Sequence, residues 1–329
     1  MKTFFCAESS RQAEEDIIGS GTNYSTYIFV ECPTPWAGNA FESKYIPQNL
    51  KALITQVKQS QPGIRFLLLA PNQSQPTAQT KVLIFKQEQG VLSRGYQKYE
   101  FNVANIEQVA GVVAQYLARE KPDCEQETSE TRDIMVCTHG THDKCCAVYG
   151  KPFYRKALAI VAELFLSKVR IWQTSHFGGH RFAPTAIDFP AGRYYGGLEE
   201  KSFSSILTRT GDIEYIKRVY RGWSILPTSM QVLERELMLS HGWDWFDYKV
   251  AGKIIKQSFN NSTIRAELTF KKPDNSIHTY RAELVRDENR TLRLRGSCCA
   301  TKESEFVKYS VENLSLVQCL EPTGNIQIA

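Results

Sequence analysis

The stretch Cys137-Thr-His-Gly-Thr-His-Asp-Lys-Cys-Cys146 is the densest gathering of metal- and redox-capable side chains in the chain. His176-Phe-Gly-Gly-His180 follows it downstream. Thiolates and imidazoles are the soft and borderline donors expected of a zinc, copper or iron–sulfur site. The adjacent Cys145 and Cys146 leave the cysteine spacing open between C-x7-C and C-x8-C. His139 and His142 lie within reach in the same loop. Two glycines, Gly178 and Gly179, separate the later histidines. They would weaken a helix by roughly 1 kcal/mol each, but they suit a tight loop whose backbone comes close to a bulky inorganic group and donates N–H groups to it.

These donors meet only if the elements before them run side by side. DIMVC (133–137) and VRIWQT (169–174) have the β-branched and aromatic content of strands. Between them Lys151 to Lys168 places Phe153, Ala157, Ile160, Val161, Leu164 and Phe165 on one helical face, with Pro152 near its first position. A strand–helix–strand unit of this kind pairs its strands in parallel, so both following loops would leave the same sheet end, where α/β folds build their sites. TAIDFP, RYYGGL and a helix from Leu198 complete the unit, with more helix expected through Arg221.

The preceding segment follows a similar order. TYIFVE, IRFLLLAPN, KVLIFKQ and GYQKYEFN read as strands, and Tyr45 to Gln59 and Ile106 to Arg119 as helices. The chain therefore reads as a tandem of two similar α/β units. After Pro227, Thr228 and Gln231 suggest a capping box for a helix to Ser240. STIRAELTF, TYRAELVR and TLRLRGS then suggest a small α+β module. The expected divisions are 1–125, 126–226 and 227–329.

Composition sets the class. The 329 residues are 42% hydrophobic and 23% charged with a net charge of +5, as in an ordinary soluble protein whose charge is spread rather than clustered for nucleic acid. The N-terminal residues lack the long apolar core of a signal peptide, and no window approaches a membrane span. A cytoplasmic protein with no nucleic-acid or membrane partner is expected. Nine cysteines, an odd number with two adjacent pairs, do not resemble an extracellular disulfide framework. Neither a Gly-rich dinucleotide fingerprint nor a P-loop is present.

The pattern CxHGxxDKxC, followed by HxGGHRFA and YYGGL, resembles the sucrase/ferredoxin-like family over roughly residues 1–225, most closely over 137–197. The resemblance implies two tandem thioredoxin-like units, each a mixed sheet flanked by helices, ahead of the α+β module. It implies a [2Fe–2S] cluster held by Cys137, Cys146, His176 and His180, with Cys145, Gly178, Gly179 and Arg181 as surrounding candidates. Two imidazoles in place of two thiolates would raise the potential to about −150 mV or above, against about −400 mV for plant-type clusters, with proton coupling through the second ring nitrogens. The protein would carry electrons between separate redox partners rather than convert a substrate.

Three other readings compete with this one: a thiol–disulfide oxidoreductase, which the missing C-x-x-C pair disfavours; a structural Cys2His2 zinc site; and a scaffold with a relic site. The first unit's loop CPTPWAGNAF has one cysteine and reads as redox-inactive. Cys6, Cys32, Cys124, Cys298, Cys299 and Cys319 read as small packed residues. Arg181 and Arg193 read as solvated, or as contacts for a partner's carboxylates.

Overall fold

The β-branched and aromatic runs become strands of one ten-stranded mixed sheet, and two α/β units share it. The computed structural model describes residues 4–71, 79–120, 122, 124–126 and 130–321. A short helix, α1 (Cys6–Gln12), precedes the sheet. The first unit comprises β1 (Thr26–Glu31), α2 (Gln48–Ser60), β2 (Ile64–Leu69), β3 (Thr80–Gln87), β4 (Tyr96–Val103) and α3 (Val109–Leu117). The short β5 (Glu125–Gln126) pairs with β4. The second unit comprises β6 (Arg132–Cys137), α4 (Lys151–Glu163), β7 (Val169–Thr174), β8 (Thr185–Phe189), β9 (Arg193–Gly196) and α5 (Glu200–Thr208). Next come α6 (Glu214–Lys217) and β10 (Tyr220–Trp223), which pairs with β9.

Both units use one pairing scheme. β1 lies parallel to β2 and antiparallel to β3, which pairs with β4. Likewise β6 lies parallel to β7 and antiparallel to β8, which pairs with β9. The units meet between β2 and β7 through the single antiparallel pair Leu69–Thr174. So narrow a seam lets the halves fold toward one another. Phe85 on β3 and Phe189 on β8, far apart in strand order, stack at 4.2 Å, with Tyr27, Phe29 and Tyr96 packed edge-on around Phe189. The strands of both halves are thus covered on two faces, which accounts for unbroken apolar runs such as IRFLLL.

A buried ion network also joins the halves. Asp133 on β6 meets Lys98 of β4 at 2.6 Å and Arg170 of β7 at 2.6 Å, and accepts from Trp172 Nε1 at 2.8 Å. Glu100 of β4 binds Arg170 and Lys81. Removing one member of such a network leaves a buried charge without its partner.

Several boundaries differ from expectation. α4 ends at Glu163 rather than Lys168, because the chain turns through Leu164 and a left-handed Phe165. The helix expected to run on to Arg221 is α5 and the short α6, and Tyr220–Trp223 is a strand that extends the sheet. The helix after Pro227 is α7 (Met230–His241), without the capping box: the Gln231 side chain is buried and bonds the backbone of Gly21, Trp223 and Leu226. Beyond it β11 (Lys249–Gln257), β12 (Thr263–Lys271) and β13 (Ile277–Arg286) join β16 (Tyr309–Leu320) in an antiparallel sheet. TLRLRGS contributes only β14 (Leu292–Leu294), paired with β15 (Ser304–Phe306). Ile264, Ala266, Leu268 and Phe270 of β12 face inward with the expected period of two.

The N-terminal segment runs back across the second unit and α7. Asp16 pairs with Arg235 at 2.6 Å, and Arg221 donates to the Ser20 carbonyl at 2.7 Å. Among the described residues no helix is long and apolar enough to cross a membrane.

Phe189 fills the space between the two halves, so Phe189→Ala is expected to lower stability by about 3–5 kcal/mol. Equilibrium denaturant unfolding reads this directly; a loss within error of zero would show that the halves are not held by this core.

Candidate metal centre

β6 and β7 pair in parallel, with Cys137 opposite Thr174. Their loops therefore leave the sheet at one end, as the strand–helix–strand reading requires. Cys137 is the last residue of β6. Cys146 opens a five-residue π-helical turn, Cys146–Gly150, that leads into α4. Gly150 allows that turn to lie directly on the strand end: a Cβ there would overlap the Cys137 carbonyl oxygen.

His176 Nδ1 lies 3.7 Å from Cys137 Sγ and 3.6 Å from Cys146 Sγ. The His180 ring is 5.0 Å from that of His176. Both thiols are buried while both imidazoles are partly exposed, so the site grades from sulfur inside to imidazole at the surface. Cys145, one residue earlier, points away. Its Sγ lies 3.5 Å from Cys6 and 3.3 Å from Cys298.

The loop's other histidines separate in role. His139 Nε2 donates to the Ala37 carbonyl at 2.7 Å, and its Nδ1 accepts from the His176 N–H at 3.2 Å. Both ring nitrogens are engaged, so His139 positions the His176 backbone instead of offering a donor to a metal. The exposed His142 stacks on His176 at 4.1 Å and shares a cluster with His176 and His180. Trp36, Ala37 and Gly38, from the first unit's loop, accept hydrogen bonds from Thr141, His139 and His142 through their carbonyls. That loop forms a wall of the site.

Electrostatics favours a bound cation. The hydrogen bond to Cys137, followed by burial, pushes the Cys146 thiol far up, so it resists ionising without a positive partner. A metal supplies that charge and deprotonates the thiols it binds. Burial, with His142, His180 and two arginines nearby, holds His176 down at about 2, and burial also lowers His180. Both are neutral imidazoles at physiological pH, the ligating form.

Arg221 is buried under the histidine loop and donates to the Gly178 carbonyl at 3.1 Å, the Ser20 carbonyl at 2.7 Å and Ser20 Oγ at 3.1 Å. These acceptors are neutral oxygens, so its charge remains available to an anionic group at the site. Burial lowers it to about 10. Gly179, with φ +77°, lets the loop rest on that guanidinium; a Cβ would overlap it.

Neither arginine expected at the surface is solvated. Arg181 pairs with buried Glu15 at 2.9 Å and lies 3.5 Å from the centre of the Phe306 ring. Arg193 is buried against Glu234 at 2.9 Å. Each completes an internal ion pair and has no free charge for a partner.

Asp143 joins the site as a residue beyond the expected donors. Its Oδ1 accepts from the Cys145 N–H at 2.9 Å, its Oδ2 accepts from the Cys298 N–H at 3.0 Å, and Oδ2 lies 3.5 Å from His180 Nδ1. An aspartate two positions before a cysteine is a legible Asx-turn signal; the bond to residue 298 is not legible locally. Cys6 and Cys298, which read from sequence as packing residues, are gathered by the fold with Cys145 and Asp143.

Two buried thiols and two neutral imidazoles suit either a mixed-ligand iron–sulfur cluster or a single borderline metal ion. Residues 17–222, more than half of the chain, match the family model described as sucrase/ferredoxin-like. No curated protein and no solved structure matches the chain.

Gly150→Ala is expected to push the π-helical turn off the strand end, separate Cys146 from Cys137 and lower metal retention while the protein stays folded. Metal content per chain, measured beside far-ultraviolet circular dichroism, checks this. Unchanged metal content would mean that the turn tolerates the shift.

Proposed function

This chain belongs to the sucrase/ferredoxin-like family, and on that premise we propose that it is a one-electron carrier whose Cys137, Cys146, His176 and His180 hold a [2Fe–2S] cluster. The observation that carries this reading is the meeting of two buried thiols with the His176 imidazole at the ends of parallel strands, with the partly exposed His180 ring 5.0 Å from that of His176 and grouped with it and His142. Such a cluster supplies one-electron chemistry, at a potential raised by neutral ligands.

The chain's own residues shape that chemistry. The cysteines anchor from the protein side, and the Arg221 charge offsets negative charge beneath the loop. The histidines offer the exposed edge at which a redox protein would approach. Asp143 beside His180 Nδ1 orients that ring and stabilises a proton on it. Electrons would enter from a separate reductase and leave to an acceptor protein. All nine cysteines are free, which suits a reducing compartment, and we place the protein in the cytoplasm.

One observation favours a second reading. Sulfur–nitrogen separations of 3.6 and 3.7 Å match the edges of a tetrahedron around one ion, as in a structural zinc site.

Anaerobically purified protein decides between the two. Two irons and two sulfides per chain, a visible absorption spectrum, and its alteration in His176→Ala and Cys146→Ala are the expected results. A colourless protein with stoichiometric zinc at these residues would replace the cluster with the second reading.

For a cluster with imidazole ligands the potential should also fall as pH rises. The proton on a ligand's second ring nitrogen would be held more tightly with the cluster reduced and would be lost first with it oxidised. Protein-film voltammetry across neutral and alkaline pH measures the slope, and a flat profile would remove proton coupling while leaving the cluster intact.

A further inference from the structure

A second group of donors lies next to the first, and its three thiols are not used by it. Cys6 comes from α1, Cys145 from the loop after β6, and Cys298 from the stretch between β14 and β15. Their sulfurs lie 3.5 Å (Cys6–Cys145), 3.3 Å (Cys145–Cys298) and 3.7 Å (Cys6–Cys298) apart. Asp143 Oδ1 is 3.1 Å from Cys298 Sγ and 3.9 Å from Cys6 Sγ. All four donor atoms lie within 4.8 Å of one another.

From this geometry we propose a second, structural metal site in which Cys6, Cys145, Cys298 and Asp143 bind one zinc ion. Zinc–sulfur bonds of about 2.3 Å in a tetrahedron place sulfurs about 3.8 Å apart. The three observed separations approach that value together. A disulfide, with sulfurs at about 2.05 Å, would join two of these thiols and strand the third. Three thiolates with a carboxylate form a closed four-coordinate set, as structural zinc sites do, with no position left for substrate. Binding releases three thiol protons to solvent and changes no oxidation state.

The surroundings are built for such an ion. The Ala7 N–H lies 3.4 Å from Cys145 Sγ and supports a charged sulfur. The backbone N–H groups of Cys145 and Cys298 hold the Asp143 carboxylate in place. Cys6 and Cys145 are fully buried, and Cys298 is partly so.

The consequence is a clasp. The three sulfurs are 139, 153 and 292 positions apart in sequence, so one ion would close very long loops. It would tie the N-terminal helix and the C-terminal module to the loop that carries Cys146. Cys6 and Cys298 both lie outside residues 17–222, the region matched by the family model, so two of the four ligands come from the flanking segments. His180 Nδ1 lies 3.4 Å from Cys6 Sγ, so the clasp also walls the neighbouring histidine.

The test is independent of the cluster. Zinc, iron and sulfide are measured by mass spectrometry and colorimetry on full-length protein purified anaerobically from zinc-supplemented medium. Wild type, Cys298→Ser, Cys6→Ser and Cys137→Ala are compared. One zinc per chain should be lost in Cys298→Ser and in Cys6→Ser with iron retained, and kept in Cys137→Ala. Should Cys298→Ser fail to fold, Cys298→His restores a zinc donor and should restore both folding and metal. Alkylation of denatured wild type before and after reduction counts free thiols. A disulfide among Cys6, Cys145 and Cys298, or zinc content indifferent to both serine variants, would overturn the proposal. Wild type that holds this zinc but neither iron nor sulfide would overturn the cluster and leave the clasp standing.

Discussion

The parallel, in-register pairing of β6 with β7 is the constraint on which the site depends. It puts Cys137 opposite Thr174, and so sets the loop bearing Cys146 beside the loop bearing His176 and His180. Every other feature of the site holds those two loops in place. Gly150 lets α4 begin on the strand end, His139 pins the His176 backbone, and Arg221 supports the glycines from below. A shift of one residue in that register would move Cys137 to the opposite face of the sheet and dissolve the donor set.

The two units have the same strand order and pairing but divided roles. The second carries the donors. Among its described residues the first has no comparable set, and its loop after β1 serves as a wall whose carbonyls fix His139 and His142. The fold-over that brings the loops together is driven by Phe85, Phe189 and their aromatic neighbours, and is locked by the buried network around Asp133. Burial of this kind is non-directional, so the ion network and the short seam at Leu69–Thr174 must supply the orientation.

Burial divides the donors by task. Cys146, hydrogen-bonded to Cys137 and buried, is costly to ionise and thus favours a bound cation, whereas burial keeps His176 neutral and able to ligate. Asp143 stands between the two donor groups. Its carboxylate touches His180 on one side and the thiols of Cys6 and Cys298 on the other, so a change at either group is felt by the other.

Local pattern was enough to read the strands of both units, their repetition, and the two donor motifs with the parallel strands that bring them together. Period-two and helical spacing are short-range properties, and Cys137, Cys146, His176 and His180 lie in short motifs whose donor types carry their chemistry. Local pattern was not enough for the Tyr220–Trp223 strand, whose pairing with β9 overrides a helical reading, nor for Gln231, whose side chain is drawn to Gly21 instead of a cap. It could not separate Cys145 from Cys146 by spacing alone, because adjacent residues at a helix start diverge in direction only once the backbone is set. Nor could it bring Cys6 and Cys298 to Cys145. That meeting depends on how the N-terminal helix and the C-terminal module pack across the second unit, and contacts 139 to 292 positions apart leave no periodic trace in sequence.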